Sequence, residues 1–162
     1  MTRLRIVPER SRVFIDASSS VHPIHSETSS LEGWFQTEPQ PGGRLELAVG
    51  QLGSGNPLID REMKRRIDAR RYPTIAGELT EMKETADGRF AARGTITFRG
   101  VTREVEGELQ VADDGNDGAH ITGSQVFDVR DFGFEPPKIL MLQVHPEVTV
   151  RIDIVAERES EG

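Results

Sequence analysis

A chain of 162 residues with 35% hydrophobic content suits one soluble domain with a sizeable core. Its formal charge of −7 argues against a nucleic-acid partner, and the absence of cysteine excludes disulfides, thiolate chemistry and cysteine-based zinc sites. No run approaches ~18 apolar residues, and the opening MTRLRIVPERSR lacks the apolar stretch of a secretory signal, so a cytoplasmic protein without a membrane-spanning helix is expected.

In chain order, Val13, Ile15 and Ala17 share one parity and predict a first strand. SSSVHPIHSETSS is rich in serine and holds a proline, so it reads as an irregular or bulged edge. Leu31, Gly33 and Phe35 resume the alternation with Trp34 on the opposite face; EPQPGG is a turn, and Leu45, Leu47 and Val49 mark the next strand. GQLGSGNP lacks the Lys-Ser/Thr of a phosphate-binding loop and is read as a plain loop. One helix follows, with Asn56 as N-cap, Pro57 at its first position and Ile59, Met63 and Ile67 as an apolar stripe. Its basic end, Lys64 to Arg71, reads first as a solvated helix end and second as a patch for anionic lipid or an acidic partner. Tyr72-Pro73 is expected to stop the helix.

Ile75, Gly77 and Leu79 form another strand, and Asp87-Gly88 turns the chain into the clearest stretch of the sequence. There Phe90, Ala92, Gly94, Ile96 and Phe98 share one face. After the Arg99-Gly100 turn, Val101, Arg103, Val105, Gly107, Leu109 and Val111 share one face of the next run. Such paired period-two runs predict an antiparallel hairpin with one dry face, which Arg103 interrupts. DDGNDG fails the ligand order of a calcium loop and is a turn. Ile121, Gly123, Gln125, Phe127 and Val129 make a strand, RDFGFEPPK a loop, and Val144 to Ala156 a last long strand before the tail ERESEG, expected to fray. About eight strands with short connections close most naturally as an antiparallel barrel, one domain over 1–162 with its core at about 11–156.

Gly33, Gly77, Gly94, Gly107 and Gly123 all fall on the inward parity. Glycine there either lets strands coil or leaves space for a ligand, and the two readings are compatible. Three stretches, RRYPTI at 70–75, ITFRGVTREV at 96–105 and VRDFGF at 129–134, give the chain a resemblance to the YceI-like family from about Ser11 to Ala156. That resemblance implies an all-β, eight-stranded antiparallel lipocalin-like barrel with one short helix, its apolar tunnel holding an isoprenoid or other amphiphilic lipid. It carries over no catalytic residue. Many members have a signal peptide and work in the periplasm, and VHPIHSETSSLEGWF departs from the family's usual early segment.

Candidate ligand contacts are the inward positions Leu31, Gly33, Phe35, Leu47 and Gly77, then Phe90, Gly94, Ile96 and Phe98. Arg103, Val105, Gly107, Phe127, Phe134 and Met141 complete the set. Arg103 reads first as a residue snorkelling from the barrel mouth and second as a partner for a ligand's polar head. Phe132, Phe134 and Ile139 to Leu142 read as core or as a lid. Arg130 and Asp131 are expected to pair. His22 and His25 lie three apart across a proline and read as surface residues rather than metal ligands; His120 and His145 stand alone. No metal or cofactor is expected beyond a bound isoprenoid quinone or polyisoprenoid. The expected partner is an apolar, lipid-like molecule; transient contact with a membrane surface and a homodimer both stay open. The rivals are an enzyme using His22, His25 or Asp131 in the same cavity, and a filled barrel with a structural or stress role.

Overall fold

The computed structural model describes residues 3–115, 118–139 and 141–158, which leaves Met1, Thr2, Asn116, Asp117, Leu140 and the last four residues of the tail outside the described residues. The wall begins earlier than expected, with β1 (Leu4–Ile6). After a 3₁₀ turn at Pro8–Arg10 come β2 (Arg12–Ser19), β3 (Ile24–Thr28), β4 (Leu31–Gln36) and β5 (Gly42–Ala48). The helix α1 (Pro57–Ile67) separates these from β6 (Thr74–Ala86), β7 (Arg89–Phe98), β8 (Val101–Asp113) and β9 (Ala119–Asp128). A 3₁₀ turn at Val129–Phe132 and the two-residue β10 (Lys138–Ile139) lead into β11 (Leu142–Arg158).

β1 and β2 are one interrupted strand, and β3 and β4 another, because β1 pairs with β4 and β2 with β3. Counting each once and leaving β10 aside gives eight antiparallel strands. The ring closes at β11, which pairs β9 on one side and both β2 and β1 on the other. Ser11 repairs the break between β1 and β2. Its buried hydroxyl donates to the Val7 carbonyl at 2.7 Å and accepts from the Val155 amide at 3.0 Å, replacing lost ladder bonds. Among the described residues no helix is long and apolar enough to cross a membrane.

The hairpin expected from parity forms in that register. Phe98 faces Val101, Ile96 faces Arg103, Gly94 faces Val105 and Ala92 faces Gly107. Arg99 and Gly100 both have positive φ, 51° and 76°, as a two-residue hairpin turn requires. The serine-rich segment lies at a sheet edge as expected but is only partly irregular. Pro23 ends a turn, and 24–28 is regular strand with Ile24 and Thr28 buried on β2. Gly42 and Gly43 belong to β5, where small residues let Trp34 and Phe35 pack across them. Pro146 sits at the one register shift between β11 and β2, where its missing amide costs no ladder bond.

Asn56 caps α1 as expected, its Oδ1 accepting from the Leu58 and Ile59 amides. The helix stops at Ile67, ahead of Tyr72-Pro73. Asp68 turns left-handed (φ 63°), and the Asp68 and Ala69 amides donate back to the Arg65 and Lys64 carbonyls. The Arg99 Nε donates to the freed Ile67 carbonyl at 3.2 Å, placing a cation at the helix C-terminus and tying it to the β7–β8 turn.

The apolar stripe of α1 lies over one end of the barrel. Ile59 packs with Ile24, Ile139, Leu142 and Val144, while Ile67 packs with Val49, Phe98, Phe132 and Phe134. Met63 touches both groups. The opposite end is filled by Leu4, Ile6, Phe35, Ala119, Ile121 and Ala156.

Candidate functional site

Between that filled end and the helix lies a cavity of about 430 Å³. Ile6, Ile121 and Ile154 form its floor, and Val13, Ile15, Val150 and Ile152 one wall. Leu45, Gly77, Leu79, Gly94, Ile96 and Val105 form the other, and Ile59, Met63 and Ile67 the roof. Phe98 closes the corner, edge-on to Phe134 and Phe132 at centroid distances of 5.5 and 6.2 Å. The volume falls in the range of small-molecule sites, and a lining of this kind suits apolar chains.

Most of the inward candidates reach this space: Phe35, Leu47, Gly77, Gly94, Ile96, Phe98, Val105, Gly107, Phe127 and Phe134 all line it. Five do not. Leu31, 2% exposed, is packed inside the solid core. Gly33 lies against β5, where a Cβ would stand 1.8 Å from the Arg44 carbonyl oxygen. Phe90 is half-buried away from the cavity. Arg103 turns outward and donates from Nε to the Asp131 carbonyl at 2.9 Å, which supports the snorkelling reading. Met141 is 81% exposed at the tip of the β10–β11 hairpin, so it is neither core nor cavity lining.

The glycines divide. Gly94, like Gly33, allows a close backbone crossing, since its Cβ would fall 2.0 Å from the Glu78 carbonyl oxygen. Gly77 is different: the nearest atom to its Cβ is 3.8 Å away, so a side chain would begin at ordinary contact distance on the cavity lining. Gly107 meets only the movable Gln125 side chain at 3.3 Å. Gly123 is crowded by Leu109 and the Glu108 carbonyl. Parity alone put all five on one face; the neighbouring strand decides which are obligatory.

The wall has a slit. β8 and β9 pair only from Leu109 opposite Gly123 to Asp113 opposite Ala119. Above that, residues 101–108 and 124–128 share no ladder, although β8 stays paired to β7 and β9 to β11. The Arg103–Asp131 hydrogen bond spans its upper end, and Gln125 reaches across beside Gly107. Reading one strand at a time could not reveal this, because the divergence belongs to the pair.

Charges stand outside the bore. Arg44 pairs with Glu46 and Glu78, and Arg93 with Glu81 and Glu106, on the outer parity. The roof is the exception. Asp60 there accepts from the amide and hydroxyl of Ser54, fixing the loop to the helix, and Lys64 has no ion-pair partner among the described residues.

The histidines and acids weighed as catalytic do not converge. The His22 ring contacts its own neighbour's carbonyl at Pro23. His25 bonds Asp16 on the outer face at 2.8 Å, and Arg151 holds the other Asp16 oxygen at 3.2 Å. These partners, His25 first, keep the Asp16 carboxyl below its ordinary range. Arg130 pairs with Asp128 rather than Asp131, and that hydrogen bond, with the Arg130 amide, lowers the Asp128 carboxyl. His120 and His145 are not alone: they bond Asp153 and the Ser18 hydroxyl. Among the described residues no group of three His, Asp or Glu side chains could hold a metal ion.

The profile of the YceI-like domain matches residues 4–156. The chain belongs to the YceI-like family. Its barrel superposes on Burkholderia cenocepacia BcnA with a TM-score of 0.84 at 16% identity, covering 93% of this chain and 99% of that one. A polyisoprenoid binding domain from Saccharophagus degradans, implicated in plant cell wall breakdown, gives 0.83 at 12% identity over 98% and 100% of the two chains. At these identities the likeness is one of fold. A segment of 75 residues, 44% of this chain, is 37% identical to polyribonucleotide nucleotidyltransferase of Chlorobium chlorochromatii. The matched part spans about 10% of that curated relative.

Proposed function

We propose that this YceI-like barrel binds an isoprenoid or another slender amphiphilic lipid and carries or stores it. The observation that carries this reading is the apolar bore beneath α1, where Gly77 presents no side chain to the cavity. Sequestering a chain there removes apolar surface from water at about 25 cal/mol per Å². The paired carboxylate and guanidinium groups of the strands point outward and leave the walls of the bore apolar, with Asp60 and Lys64 confined to the roof, which disfavours a metabolite that needs ionic recognition along its length. Binding rather than catalysis is favoured because His22, His25 and Asp131 all lie off the cavity lining.

The test is native mass spectrometry of the purified protein, followed by solvent extraction and mass analysis. Recovery of a lipid or isoprenoid, or uptake of added isoprenoid quinone or fatty acid, is the expected result. A protein that remains bare with all of these added would overturn the reading.

A further inference from the structure

The helix end of the barrel gathers features that the cavity does not need. Val21, Leu58 and Met141 are 67%, 55% and 81% exposed. They converge. The Ser20 amide donates to the Gln143 carbonyl at 3.0 Å, holding the Val21 turn beside the hairpin that carries Met141. Ile59, next to Leu58, packs on Ile139 and Leu142 of that same hairpin.

The charge there is also reversed. Between Asn56 and Pro73 six basic residues face three acidic ones, whereas the whole chain carries −7. Arg61, Arg65, Arg66, Arg70 and Arg71 are exposed, and Leu58, Arg61 and Arg65 share the solvent face of α1 by helical spacing. The apolar stripe of α1 is buried against the barrel, so it is the exposed arginines, with separate apolar tips beside them, that give this surface the pattern of one resting on anionic headgroups.

We propose that this end docks on a bilayer containing anionic lipids, with Val21, Leu58 and Met141 entering the interface and the arginines meeting headgroup phosphates. Resting on the cavity reading, the docked face is also the place where ligand enters or leaves, since α1 roofs the bore. A second copy of the chain fits this face poorly. A two-fold contact would set the same arginines against one another.

The experiment is flotation of the full chain with phosphatidylcholine vesicles, with and without phosphatidylglycerol, at low and high salt. The wild type floats with the anionic vesicles only, and salt releases it. Arg65→Glu/Arg70→Glu/Arg71→Glu lowers partitioning by at least about 100-fold, from roughly fivefold per basic residue; the triple glutamine variant gives a smaller loss in the same direction. Leu58→Ser/Met141→Ser weakens binding without abolishing its salt dependence. Circular dichroism checks that each variant is folded. Absence of flotation, equal binding to neutral vesicles, or charge-reversed protein that floats like the wild type would each overturn the proposal, as would a dimer in solution that buries this face.

Transfer of a fluorescent isoprenoid quinone from vesicles separates the two readings. Gly77→Leu floats normally yet takes up none. If the wild type floats but never takes up quinone, docking stands and the cavity reading falls. If it loads quinone from detergent solution but never floats, the reverse holds.

Discussion

In the lower barrel Leu4, Ile6, Phe35, Ala119 and Ala156 meet and fill the axis, while above them the same alternating strands enclose a cavity of about 430 Å³. The pattern of apolar positions is alike in both. The difference lies in the size of the inward residues and in what stands behind the glycines. A solid region is read from its large side chains; a hollow one is read from what the neighbouring backbone leaves free.

The largest effect is expected at Gly94. Its Cβ would overlap the Glu78 carbonyl, so Gly94→Ala has no cheap relaxation and should cost more than about 3 kcal/mol, read as lost soluble yield or a collapsed urea midpoint. Leu31 and Ile96 test solid against hollow directly. Leu31→Ala empties packed space and should cost about 2–5 kcal/mol in urea unfolding, whereas Ile96→Ala, facing existing space, should cost clearly less. Gly77→Leu should shift stability by only about 1 kcal/mol while removing quinone uptake in a fluorescence titration. Equal losses of stability at Gly77 and Gly94 would erase the distinction between vacancy and close approach.

The roof can be loosened separately. Asn56→Ala removes the cap from two amides and should cost about 1 kcal/mol, with faster hydrogen exchange confined to the first turn of α1. The smallest effect expected is on the outer face. Asp16 titrates below its ordinary range when folded, so the unfolded chain binds the proton first and stability falls as pH drops below about 4. Asp16→Asn should flatten the acid limb of a stability-against-pH curve and leave quinone binding at neutral pH unchanged.

Much of this architecture is written in period two. The β7–β8 hairpin, its register and the outward ladder of Arg93 and Glu106 follow from parity and the Arg99-Gly100 turn. The Asn56 cap and the Ile59, Met63, Ile67 stripe follow from helix chemistry. β1 was missed because three residues broken off by a 3₁₀ turn hold too little alternation to register. Leu31 and Met141 were misplaced for a shared reason: an apolar side chain does not say whether it fills, lines or protrudes until its neighbours in space are known. The helix stop was set too late because the left-handed turn at Asp68 carries no glycine to announce it.

The unpaired stretch between upper β8 and upper β9 bears on how wide a guest the barrel can take. A fully laddered ring has its bore set by strand number and stagger, and widening it means breaking hydrogen bonds. Here the girth at that level is set by one arginine on a carbonyl and one glutamine lying across a gap, both side chains with rotamers to spare. Methyl branches along a chain could pass or settle there by the parting of two edges, with every strand keeping the partner it already has.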